Sequence, residues 1–97
     1  MTTLADILTQ LKAHGAKIAG SYARGEQRPD SDLDVFIPEK NWAEVRKVLI
    51  GAKFESTAIG QFCSFDFTPK LEVSWRFNRQ QNKLPQVTIA GVTFKTR

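Results

Sequence analysis

Two carboxylates one residue apart, Asp32 and Asp34, stand ten residues beyond a Gly20-Ser21 step, and the combination points to metal-assisted chemistry on a nucleotide. Side chains two apart on a strand share a face. Asp32 and Asp34 therefore converge, while Leu33 and Val35 turn toward a core. Two hard oxygen ligands facing one way are what Mg²⁺ needs. Like charges placed side by side on a strand repel, and a bound divalent cation removes that repulsion. Upstream, a turn of small residues after a strand lets backbone N–H groups approach a phosphate, and a helix N-terminus adds partial positive charge. Gly20 and Ser21 suit that use, although turns also employ both residues for conformational reasons. Arg24 lies one turn beyond Ser21, close enough to meet a phosphate, and its position equally suits a surface role or pairing with a carboxylate.

The elements that must hold these residues can be read from periodicity. Leu4, Ile7, Leu8 and Leu11 follow helical spacing, with Thr2 or Thr3 as the cap, Gly15 at the close and His14 at the C-terminal end. Lys17 to Ala19 reads as a short strand, after which Ser21 caps a brief helical turn through Arg24, and a polar loop spans Glu26 to Asp30. Ser31 to Ile37 is the strand that carries the two aspartates. Pro38 ends it, and Asn41 with Glu44 has the form of a capping box for a helix from Trp42 to Ile50, stopped by Gly51. Trp42, Val45, Val48 and Leu49 form its buried face.

From Lys53 onward the texture is β: Lys53 to Ile59, Gln61 to Thr68, Leu71 to Phe77, and Gln86 to Thr96 broken at Ala90-Gly91. Leu71, Val73, Trp75 and Phe77 alternate onto a core face, which leaves Glu72, Ser74 and Arg76 on the other. Asp66 sits where aromatics occupy both faces, so its orientation is open. Asn78 to Pro85 is a polar loop. This order predicts an α+β fold with a small mixed or largely antiparallel sheet, helices packed on one face, and a single domain over residues 1–97.

Composition narrows the class. The chain has 97 residues, 41% of them hydrophobic and 25% charged, which is the profile of an ordinary globular domain. A net charge of +4 and a pI near 9.5 are compatible with a polyanionic partner, yet the basic residues are scattered rather than clustered. Cys63, the single cysteine, has no partner for a disulfide and no neighbours for a zinc site. A reducing cytoplasm is the expected setting, with neither a signal peptide nor a membrane span in the sequence.

Gly-Ser-Tyr-Ala-Arg-Gly at 20–25 and Ser-Asp-Leu-Asp-Val-Phe-Ile at 31–37 resemble the signature of the nucleotidyltransferase superfamily related to DNA polymerase β. Within it they look like the minimal nucleotidyltransferase group, whose members include antitoxins paired with HEPN-domain toxins. The likeness is close over residues 17–37 and extends in element order to the whole chain. It implies a palm-like nucleotidyltransferase fold, with Gly20 and Ser21 at the triphosphate and Asp32 and Asp34 at a two-metal Mg²⁺ site. It also implies a third carboxylate on a later strand, for which Glu72 and Asp66 are the candidates. Glu72 is favoured because it lies on a polar face.

The implied reaction is transfer of a nucleoside monophosphate from a nucleoside triphosphate to a hydroxyl, with pyrophosphate leaving. The antitoxin likeness makes the acceptor a HEPN-type toxin whose tyrosine or similar hydroxyl receives AMP from ATP. Two alternatives stand beside it: an inactive module of the same fold that neutralises a partner by contact, and an enzyme acting on RNA or tRNA ends. Larger relatives carry a further helical domain, so the acceptor is expected on a partner surface or a second copy, and exposed strand edges permit self-association.

Overall fold

Thr3 starts the first helix by a reciprocal cap in which its hydroxyl accepts from the Asp6 N–H at 3.2 Å and its own N–H donates to the Asp6 carboxylate at 3.0 Å. The computed structural model describes residues 3–49, 52–57, 60–76 and 83–97, without the side chains of 54–60. Helix α1 (Leu4–Ala13) buries Ile7, Leu8 and Leu11 at the expected spacing, and His14 is its C-cap. Strand β1 (Lys17–Ala19) runs into the short helix α2 (Gly20–Arg24), and β2 (Leu33–Phe36) follows the polar loop.

The capping box expected at Asn41 and Glu44 does not form. Glu39–Asn41 is a 3₁₀ turn, so the Asn41 backbone is already helical (φ −100°, ψ −5°) where α3 (Trp42–Val48) begins. A capping side chain needs extended backbone to reach back to the first turn. Instead, Asn41 Nδ2 donates to the His14 carbonyl at 2.9 Å and ties the end of α1 to the start of α3. Glu44 accepts from Lys47 at 3.4 Å on the surface. Trp42, Val45 and Leu49 are buried while Val48 is half-buried, and α3 ends at Val48 with Leu49 as its C-cap (φ −87°, ψ 78°), short of the expected end at Ile50; Ile50 and Gly51 lie outside the described residues.

Five strands form one sheet in the order β1-β2-β5-β4-β3, with β3 at Lys53–Thr57, β4 at Gly60–Phe65 and β5 at Leu71–Ser74. Strands β2 and β5 are parallel and the remaining pairs antiparallel, so the sheet is mixed. A separate hairpin joins β6 (Gln86–Ile89) to β7 (Val92–Lys95), and it reaches the sheet through a bridge between Ile18 and Thr96. Ile59 and Phe77, expected in strands, lie outside the described residues.

Leu33, Val35, Leu71, Val73 and Cys63 are fully buried and share the core with Ile7, Leu8 and Leu11 of α1 and with Trp42 and Val45 of α3. Strand alternation then sends Asp34, Glu72 and Ser64 to the opposite face. Packing of the apolar rows fixes the register, because a slip of one residue would exchange the two faces. The burial of four β-sheet aliphatics is thus what presents the carboxylates. The architecture is a small α+β fold with a mixed sheet, as expected from the order of elements.

Candidate active site

Asp34 and Glu72 are register partners on the parallel strands β2 and β5, with Ala19 beside Asp34 on β1 and Ser64 beside Glu72 on β4. Neighbouring strands lie about 4.8 Å apart, so the two acidic side chains leave the same face as immediate neighbours. Asp32 precedes β2 by one residue, and the Leu33 N–H beside it donates to the Lys70 carbonyl at 2.8 Å, which carries the strand pairing up to the aspartate. Ser31 prepares that entry. Its N–H donates to the Arg28 carbonyl at 3.0 Å, and its Oγ accepts from the Arg28 N–H at 2.8 Å.

The electrostatics of the cluster are unfavourable as it stands. Burial, then the charges of Glu72 and Asp32, push the Asp34 carboxyl up from 3.8 to about 6, while Arg24 pulls it the other way. Such a shift reports carboxylates crowded in a partly dry site. Among the described residues no group of three His, Cys, Asp or Glu side chains is drawn together as a finished metal cluster. Chemically the donor set nonetheless suits a hard divalent cation: carboxylate oxygens alone, with Glu72 and Asp32 close enough to raise the proton affinity of Asp34. A cation would add counter-charge to that of Arg24 beside Asp34.

The turn before β2 is built around that aspartate. Gly20 has φ +68°, and a Cβ placed on it would run into the Asp34 carboxylate, with Asp34 Cγ only 3.1 Å away. Backbone and carboxylate can therefore be this close only with glycine at position 20. The expected Ser21 cap is corrected: α2 starts two residues earlier, with Ala19 as its extended N-cap and no side-chain capping bond. Ser21 instead lies inside the first turn, and its carbonyl accepts from the Glu26 N–H at 3.0 Å as the turn closes over Gly25.

Of the remaining candidates, Arg24 is near enough to Asp34 to bias its titration, and its Nε donates to Glu26 at 3.2 Å. Asp66 lies beyond the end of β4, exposed, and pairs with Lys53 at 3.2 Å, which places it apart from the Asp34–Glu72 pair. Arg76 stacks against Trp75 at 5.1 Å. Glu26 had no signal of its own in the sequence, since it sits in a polar loop of ordinary composition, and Ser31, expected to open the strand, lies before it, because β2 begins at Leu33.

Residues 2–95 match the sequence model of the nucleotidyltransferase domain. The chain belongs to that family. No curated protein and no solved structure matches it. Domains of this nucleotidyltransferase family typically act on a nucleoside triphosphate with a divalent metal, and here the carboxylates of β2 and β5 stand beside the glycine turn. Among the described residues no helix is long and apolar enough to cross a membrane.

Proposed function

We propose that the domain transfers a nucleoside monophosphate, AMP from ATP, to a hydroxyl on a protein partner. The observation that carries the reading is the in-register pairing of Asp34 with Glu72, next to a glycine turn that abuts the same aspartate. In this reading Asp32, Asp34 and Glu72 hold Mg²⁺, which when bound screens charge on the triphosphate and the leaving pyrophosphate. Gly20 and Ser21 contact phosphate through backbone N–H and hydroxyl, and Arg24 adds a cation. Glu72, on the far side of Asp34 from the turn, faces the acceptor and draws the proton of its hydroxyl. The acceptor oxygen bonds the α-phosphorus as the bond to the bridging oxygen breaks, and pyrophosphate carries away the bonding pair. The protein acceptor, a HEPN-type toxin, rests on family likeness. Asp66 takes no part.

The test is to incubate the protein with Mg²⁺ and each α-labelled triphosphate, alone, with the protein encoded beside it, and with RNA. Label should appear on the protein partner, from ATP, and disappear with EDTA. Label on RNA would move the acceptor to a nucleic acid, and complex formation without label would make the domain a binding module.

A further inference from the structure

Glu26 is gripped from two sides at the end of α2. Its Oε2 accepts from Arg24 Nε at 3.2 Å, and its Oε1 accepts from Lys83 Nζ at 2.7 Å. These two cations hold the Glu26 carboxyl below its ordinary value, Lys83 contributing most. The three charges are held by backbone as well as by attraction. The Leu84 N–H donates to the Ala23 carbonyl at 3.2 Å, and the Leu84 carbonyl accepts from the Thr96 hydroxyl at 2.6 Å. Leu84 also lies over Gly25, whose φ of +70° closes α2 and whose hydrogens leave room for the Leu84 methyl at 3.3 Å from a would-be Cβ. Lys83 is thereby delivered to Glu26 from a segment 57 residues away in sequence.

An isolated surface ion pair would mean little. Here one of the paired groups is Arg24, half-buried, on the same five-residue helix whose first residue, Gly20, abuts the Asp34 carboxylate. We propose that Glu26, anchored by Lys83, is a positioning residue that holds the Arg24 guanidinium beside the carboxylates so that it meets the terminal phosphates of a nucleoside triphosphate. Engagement through Nε fixes the plane of the guanidinium, which matters for a group that binds phosphate as a rigid fork. The inference rests on the phosphate reading of the Gly20–Arg24 turn and adds to it a carboxylate with no contact of its own to substrate.

The sign of one substitution separates this role from a passive one. Glu26→Gln removes a negative charge near a polyanion site, so electrostatics alone would tighten triphosphate binding. Loss of positioning would weaken it. Calorimetric titration with a non-hydrolysable ATP analogue and Mg²⁺ should show Glu26→Gln weakening affinity about tenfold, the scale of one charge-assisted hydrogen bond. In an Arg24→Gln background the same change should add nothing, since Glu26 acts through Arg24. Lys83→Gln should weaken binding in the same direction by less.

Nitrogen-edited NMR of the Arg24 Nε–H provides a readout without nucleotide: slow exchange in the native protein, lost in Glu26→Gln. Unchanged or tighter binding by Glu26→Gln would overturn the proposal, as would equal weakening in both Arg24 backgrounds. If the native protein binds no triphosphate, the phosphate reading falls and this one with it. If the native protein binds while Glu26→Gln binds equally well, this proposal falls alone.

Discussion

Asp34→Asn should abolish nucleotidyl transfer, by about a thousandfold or more, and yet raise the melting temperature of the metal-free protein at pH 7. The activity loss follows from removing a charged ligand from a site that must supply several kcal/mol of charge stabilisation. The stability gain follows from the environment of the side chain. Asp34 is half-buried and faces Glu72 and Asp32, and burial and then these charges push its carboxyl up to about 6 from 3.8. A carboxyl raised in the folded state binds its proton more tightly there than in the unfolded chain. Its ionisation therefore costs stability, fully so above about pH 6, with the cost shrinking as pH falls toward 3.8 and absent below it. Allowing for solvent screening of a side chain that is only partly covered, the cost is about 1–2 kcal/mol. Asparagine cannot ionise and escapes it. Thermal melts in EDTA between pH 4 and 8 check both signs: the native protein should lose stability, relative to Asp34→Asn, as pH rises through that interval. A variant that transfers label at the native rate would remove Asp34 from the chemistry.

Gly20→Ala should damage fold and site together. At φ +68° an L-residue is strained by about 1–2 kcal/mol, and the added methyl meets the Asp34 carboxylate. Either the turn shifts or Asp34 rotates away from its place beside Glu72. The expected loss is about 2 kcal/mol or more, a drop of about 10 °C in melting temperature for a domain of this size, with transfer activity falling at least a hundredfold. The two contributions separate in a double mutant. In an Asp34→Ala background the carboxylate is gone and only a 3.3 Å approach to the Cβ of position 34 remains, so Gly20→Ala should there cost little beyond the backbone strain. Equal cost in both backgrounds would show that the carboxylate has room, and the close approach of turn and strand would lose its significance.

The faces of the strands were legible because alternation is a local property. Leu33 and Val35, like Leu71 and Val73, declare a core side by their type alone, and Asp34 and Glu72 are left on the other. The helix α1 was legible for the same reason, through spacing and the Thr3 cap. Which strands lie together is not local. Parallel pairing of β2 with β5, and the register that seats Glu72 next to Asp34, depend on how the long β4–β5 hairpin folds back across the core. Caps failed where neighbouring backbone decided the matter: Asn41 was already helical, and Ala19 rather than Ser21 stood at the head of α2. The Glu26–Lys83 contact could not be read at all, since a surface pair at such separation leaves no pattern in either segment. Nor could the half-burial of Asp34, from which its altered titration comes.

In the proposed function, Asp34 and Glu72, with Asp32, act as one site for a divalent cation. Carboxyl-carbon NMR can follow the titration of Asp34 directly, with and without millimolar Mg²⁺. The midpoint should lie at about 6 in the metal-free protein and fall to ~4 or below when Mg²⁺ is present, because the cation competes with the proton for the same oxygens. A midpoint that stays near 6 at saturating Mg²⁺ would contradict it.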